Sequence, residues 1–242
     1  RLNRHFNRMT TRITDLMRRN EEEVREKNEF KMQTLRAQLS PHFIYNSLNT
    51  IKWMAAINRQ DNIQSVTEAL IQLLMSHTKG KEEGYTLKDE LALIENYAVV
   101  QKARFMNFDV IYEIAEDVKE CRIVKFLLQP VVENAVIHGF ARGKKRRGII
   151  HITAYRNPEL FICIEDNGVG FDVEEWKRSG TDSDQEHTHI AIRNIEQIIR
   201  LEYGNGYGIT IESTPGAGTR VEYLLPAIIR VDGATLDKGE KI

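Results

Sequence analysis

The stretch Leu127-Leu128-Gln129-Pro130-Val131-Val132-Glu133-Asn134-Ala135-Val136-Ile137-His138-Gly139 is an apolar run broken by three polar residues, Glu133, Asn134 and His138. Its spacing predicts a helix from Val124 to Phe140, with Pro130 inside it. A polar group on a buried helix face costs free energy unless it finds a partner. Asn134 and His138 stand four apart and so share a face. A carboxamide oxygen is a hard donor suited to Mg2+, which commonly takes water and phosphate oxygens as its other ligands. A half-exposed helix edge produces the same pattern, so the run has to be read with its neighbours.

Downstream, Ile149–Tyr155 and Leu160–Glu165 alternate and predict two strands one hairpin apart. Asp166-Asn167-Gly168-Val169-Gly170 follows them. Asp-Asn-Gly after a strand is a turn signal, yet no alternating strand follows Gly170. Two glycines two apart allow backbone to approach a flat or anionic ligand closely. A carboxylate at their head can accept a hydrogen bond from an exocyclic amine. Gly168 to His189 is polar and predicts a loop or lid, with His187 and His189 as solvated loop residues rather than metal ligands. Ile190–Tyr203 predicts an amphipathic helix. Tyr207–Ser213 and Thr219–Leu225 predict strands joined at Pro215-Gly216. Gly216-Ala217-Gly218-Thr219 by itself says no more than a turn.

Upstream, Phe108–Ile114 predicts a strand, and the segments before it read as helices, with a charged loop at Lys79–Gly84. Thr86 predicts an N-cap with Asp89 at the capping-box position and Glu90 in the first turn, opening a helix that runs to about Phe105. Val66–Met75 predicts the second arm of a helical hairpin, turned near Asn58–Asn62. Its first arm holds Pro41-His42-Phe43-Ile44-Tyr45-Asn46-Ser47-Leu48-Asn49. His42, Asn46 and Asn49 share one face. Imidazole is a competent nucleophile near neutral pH, and neighbouring amides can orient it. A capping or core histidine fits the spacing equally. Phe6, Met9, Ile13 and Leu16 step as a short heptad seam whose register shifts after Asn20, which predicts pairing with another chain.

Composition narrows the function classes. The chain has 242 residues, 41% hydrophobic and 29% charged, with a net charge of −1, which argues against a nucleic-acid partner. Its two cysteines, Cys121 and Cys163, have no metal or disulfide spacing, and Cys163 reads as a buried reduced thiol. No apolar run approaches the roughly 18 residues that span a bilayer, and no signal-peptide pattern is present. The chain opens on Arg1 rather than methionine, which leaves room for an upstream membrane segment.

Taken in order, these motifs closely resemble the sensor histidine kinases of the LytS/YesM type. Pro41–Asn49 resembles that family's phosphoacceptor box, Gln129–Ala135 its N box, Asp166–Gly170 its G1 box and Gly216–Thr219 its G3 box. Phe6–Met9 with Ile13 and Leu16 resembles the last helix of a HAMP linker. The resemblance implies an α-helical dimerisation hairpin followed by an α+β domain, the two-layer α/β sandwich of Bergerat or GHKL ATP-binding proteins. It implies a HAMP-like end over residues 1–19, a signalling helix and phosphoacceptor hairpin over 20–105, an ATP-binding domain over 106–226 and a tail over 227–242. By the same resemblance His42 accepts phosphate with Asn46 beside it. Asn134 holds Mg2+, Asp166 reads the adenine amine and His138 lies near the phosphates. Gly168, Gly170, Gly218 and Thr219 shape the ATP pocket, and Asn194 follows the lid. The implied protein is the cytoplasmic part of a bacterial cell-membrane homodimer that passes phosphate to an aspartate of a response regulator.

Two departures stand out. His189-Ile190-Ala191-Ile192 holds no glycine where the family often has a glycine-rich stretch. Phe43 follows the histidine where many other histidine kinases carry an acid. An ATPase or ATP-gated clamp, and a non-catalytic dimeric relay, are the competing expectations for the same pocket.

Overall fold

The computed structural model describes residues 41–78, 84–105, 108–140, 147–178 and 186–229. The heptad seam, the expected HAMP-like and signalling helices up to residue 40, part of the lid, and the tail from residue 230 lie outside the described residues.

Helix α1 (Pro41–Ile57) and helix α2 (Asp61–Thr78) pack against each other as a hairpin. Its turn is built from capping bonds. The Asn58 amide donates to the Met54 carbonyl at 2.7 Å. Gln60 N–H reaches the Ala55 carbonyl at 2.9 Å, across Arg59 at φ 55°. Helix α3 (Leu87–Phe105) opens on the expected capping box. Thr86 Oγ1 accepts the Asp89 N–H at 3.3 Å, while Asp89 Oδ2 accepts the Thr86 N–H at 3.0 Å. This reciprocal pairing satisfies two donors that a helix start otherwise leaves open.

The rest is a five-stranded sheet in the order β1-β2-β3-β5-β4. The strands are β1 (Phe108–Ile114), β2 (Gly148–Arg156), β3 (Leu160–Asp166), β4 (Gly208–Thr214) and β5 (Gly218–Leu225). β1 and β2 pair in parallel and the other pairs are antiparallel. A parallel pair needs a crossover, and the segment quoted first supplies it. Alternation along β2, β3 and β5 sends Ile150, Ile152, Ile162, Ile164, Val221 and Tyr223 to one buried face. Among the described residues, helices cover that face alone. The opposite face, with Ile149, Tyr155 and the Arg220–Glu165 ion pair at 2.6 Å, stays partly open. Cys121 is buried, whereas Cys163 on this outer face is only half-buried, its thiol pushed up to about 11 by desolvation.

Several elements differ from expectation. The helix expected from Val124 begins at Gln129: α4 spans Gln129–Asn134 and continues as a π turn over Ala135–Gly139. Proline lacks an N–H and has φ preset for a helix start, so Pro130 opens this helix instead of sitting within it. The chain before it turns through Phe126 at φ 60°. The expected lid loop carries a short helix, α5 (Val173–Arg178). Helix α6 spans Glu186–Tyr203 rather than starting at Ile190, so His187 and His189 lie on helical backbone, not in a loop.

Packing also runs across the boundary expected near Phe105. Leu87, Ile94, Tyr97 and Ala98 of α3 join the same core as α4, α6 and the sheet. At the other end Ile229 bridges to Cys121, and the Ile228 carbonyl accepts the Arg122 N–H at 2.7 Å. Residues 227–229 therefore close onto the α/β part.

Candidate functional site

One cavity gathers most of the polar residues singled out in the sequence. Asn134 and His138 reach it from α4 and its π turn, Asp166 and Gly170 from the end of β3, and Thr219 from β5. The sheet register brings the last two motifs together, since Asp166 and Thr219 are partners across β3 and β5. The crossover places α4 over the same strand ends.

Asp166 is held by its own turn. Its Oδ1 accepts the Gly168 N–H at 2.7 Å, and a carboxylate fixed by a backbone donor presents its remaining acceptor capacity in a set direction. The glycines act differently from expectation. A Cβ on Gly168 would stand 2.6 Å from Asp166 Oδ1 and 2.7 Å from the Gly139 Cα. Gly218, at φ 112°, has the Asp166 carbonyl where a Cβ would go. These positions let backbone pack on backbone around the carboxylate, rather than leaving an open cradle. Gly168 and Gly218 shape the cavity from behind, and neither is among the residues lining it. Asn194 is exposed on α6 and does not line it either.

The apolar lining was missed in the sequence. Val131, Ala135, Val169, Phe171, Trp176, Ile192 and Val221 form most of the wall. Trp176 is buried and its ring lies 5.8 Å from that of Phe171. An apolar slot lined also by a carboxylate, an amide and an imidazole suits a flat heterocycle carrying a polar, anionic extension. The signal was available, as two aromatics in a stretch otherwise read as polar lid.

No group of three or more His, Cys, Asp or Glu that could hold a metal exists among the described residues. A cation here would have Asn134 as a protein donor and take its other ligands from phosphate and water. That donor set suits Mg2+, which keeps waters and phosphate oxygens.

Glu90 was read only as a first-turn charge. It is completely buried, and its carboxylate accepts the N–H groups of Phe126, Leu128 and Gln129 at 3.0, 2.9 and 3.2 Å. Burial pushes its pKa up, opposed by the hydrogen bonds from these backbone groups.

His42 lies on the exposed face of α1. The Asn46 carboxamide stands 3.2 Å from Nδ1 and 3.4 Å from Nε2. In this orientation its NH2 donates to the ring. Turned over, its oxygen would instead accept a ring N–H.

Two family models match successive parts of the chain. "Histidine kinase" matches residues 30–108, and "Histidine kinase-, DNA gyrase B-, and HSP90-like ATPase" matches residues 122–229. Sensor histidine kinase YesM of Bacillus subtilis (strain 168) is 34% identical over 93% of this chain and 38% of its own length. The putative uncharacterized protein YwpD of the same organism is 32% identical over 91% of this chain and 78% of its own. The chain belongs to the sensor histidine kinase family. Sensor histidine kinase BtsS of Escherichia coli (strain K12) is a further member, 31% identical over 81% of this chain and 33% of its own length. The chain thus spans 38% of the length of YesM and 33% of that of BtsS. Among solved structures, the histidine kinase domain of Erythrobacter litoralis EL346 blue-light activated histidine kinase is 16% identical, with a TM-score of 0.44, over 77% of this chain and 94% of that one. As in histidine kinases generally, the ATPase-like part is the ATP-binding one, which places the cavity in the segment matched by that model. No described helix is long and apolar enough to cross a membrane.

Proposed function

We propose that this histidine kinase transfers the γ-phosphate of ATP to His42. The observation that carries the reading is the division of labour in the fold. Asn134, His138 and Asp166 converge on one apolar cavity, while an exposed imidazole with an amide beside it stands on the adjoining hairpin. Asp166 accepts the adenine amine, and the aromatic wall holds the ring. His138 lies near the phosphates, and Thr219 stands across from Asp166 in the sheet register. Asn134 would hold Mg2+, which supplies charge neutralisation at the phosphates.

His42 attacks in line. An N–P bond forms, the bond from the γ-phosphorus to the β–γ bridging oxygen breaks, and ADP leaves with the electron pair. The imidazole N–H proton is released. The protein contributes positioning and electrostatics, which supply most of the acceleration in phosphoryl transfer. The phosphate then passes to an aspartate of a response-regulator receiver domain, for which an exposed phosphohistidine is accessible. The protein acts as a homodimer, as the cytoplasmic part of a membrane sensor. Phe43, Trp53 and Ile57 on α1 are 72%, 65% and 80% exposed, more apolar surface than one helical hairpin ordinarily leaves to water.

Incubation with γ-labelled ATP tests the reading. Acid-labile, base-stable label on the protein supports it. Free phosphate without labelled protein makes the chain an ATPase, and neither product makes it a relay.

A further inference from the structure

We propose that Glu90 is a positioning residue for the nucleotide site, so that ATP affinity is set partly from α3, outside the pocket. The proposal rests on the reading of the cavity as a nucleotide site. Glu90 is not among the residues lining the cavity. It holds the backbone from which α4 starts, and α4 carries Val131, Asn134, Ala135 and, one turn on, His138.

The physical case begins with Phe126. A bulky residue at φ 60° is strained and persists only if its surroundings hold it there. Glu90 does so by accepting its N–H. The same carboxylate takes the N–H groups of Leu128 and Gln129, which belong to the orphan donors of a helix start. No side chain at the Leu128 N-cap position makes a capping bond. The cap that α4 lacks locally arrives from α3, 38 residues earlier in the chain. Since α4 is short, fixing its first turn fixes the direction in which Asn134 points.

The same turn is tied to the hairpin. Lys125 Nζ donates to the Ser76 carbonyl near the end of α2, and lies 5.0 Å from the Phe126 ring and 5.8 Å from the Tyr85 ring. Displacing α2 or α3 would therefore pull on Lys125–Gln129 and turn α4. This gives the phosphoacceptor hairpin a mechanical route to nucleotide affinity that bypasses His42.

Calorimetric titration of the full chain with ADP in excess Mg2+ tests this without any phosphotransfer. Glu90→Gln keeps the volume but points an NH2 at backbone donors, and should weaken Mg-ADP binding about tenfold, the loss of one charge-assisted hydrogen bond's worth of positioning. Asp89→Ala is the control on the same helix. It removes the capping box and lowers the unfolding midpoint, but should leave affinity within about twofold, because Asp89 does not reach α4. Folded Glu90→Gln protein with wild-type affinity overturns the proposal, as does an equal loss in Asp89→Ala. If Glu90→Gln does not fold, Glu90→Asp keeps the charge on a shorter arm. It should then show both faster amide exchange over residues 126–129 and weaker binding, and faster exchange with unchanged binding overturns the proposal. Wild-type protein that fails to bind Mg-ADP removes the nucleotide reading itself, a result distinct from binding that Glu90→Gln leaves unchanged.

Discussion

The carbonyl oxygen of Asp166 occupies the space a side chain on Gly218 would need. Gly218 is at φ 112°, with the Asp166 and Asn167 backbone pressed against it. Gly218→Ala must therefore shift β5 away from β3 or strain its own backbone, at a cost of roughly 1–3 kcal/mol. Gly216→Ala, at φ 87° with nothing within 4 Å, meets only the left-handed backbone penalty of about 1–2 kcal/mol. Denaturant melts should rank the two, and only Gly218→Ala should also weaken nucleotide binding.

Asp166→Ala removes a charge-assisted hydrogen bond to adenine. The loss should be roughly 1.5–3 kcal/mol, or about tenfold to over a hundredfold in affinity. Calorimetry with ATP and GTP checks the role. Wild-type protein should prefer ATP, and equal binding of both would contradict it.

Hydrolysis of ATP by water should be slow. A base able to activate water beside Asn134 would have to stand one turn away on the same helix face, and four residues before it is Pro130, which has no side-chain base. The nearby Glu133 accepts a hydrogen bond from Gln129 at 2.6 Å and points about 100° away from Asn134 around the helix. A positioned base contributes about 10²–10⁴-fold. His42→Ala should abolish labelling, keep nucleotide affinity and lower phosphate release. Turnover of several per second in that variant would make water the true acceptor.

Light scattering at micromolar concentration should give twice the chain mass. Trp53 and Ile57 are exposed on α1, so replacing both with glutamate should shift the protein toward monomer and leave Mg-ADP affinity intact. A wild-type monomer would count against the dimer.

Stability should carry a Glu90-dependent slope in pH. Burial raises the folded pKa above the ordinary value of 4.5, and the buried hydroxyls of Tyr85 and Tyr223 face the same charge. Between the two values the folded state binds more protons than the unfolded one, so unfolding free energy falls as pH rises. The Glu90 contribution is full below pH 4.5 and is lost as pH climbs through the folded value. Unfolding free energies of wild type minus Glu90→Gln, measured from pH 4 upward, should decline; a rising difference would reverse the sign of the shift.

The sequence by itself determined most of the elements and their order. The Thr86–Asp89 box, the alternation in β2, β3 and β5, and the polar breaks at Asn134 and His138 are local signals, carried by spacing along a few turns or residues. The ordered motifs were also enough to place the chain in its family. Tertiary structure decided the rest. That Pro130 begins a helix became visible only with the turn at Phe126 and the distant carboxylate that stabilises it. Phe171 and Trp176 became cavity walls because α5 folds a polar-looking stretch back over the sheet. Glu90 was legible only as a first-turn residue, since helical spacing says nothing about which backbone amides, 36 to 39 residues later, will need an acceptor. Local pattern encodes which face of an element is apolar; which polar atoms meet across elements depends on packing, and only the folded chain brings them within hydrogen-bond reach.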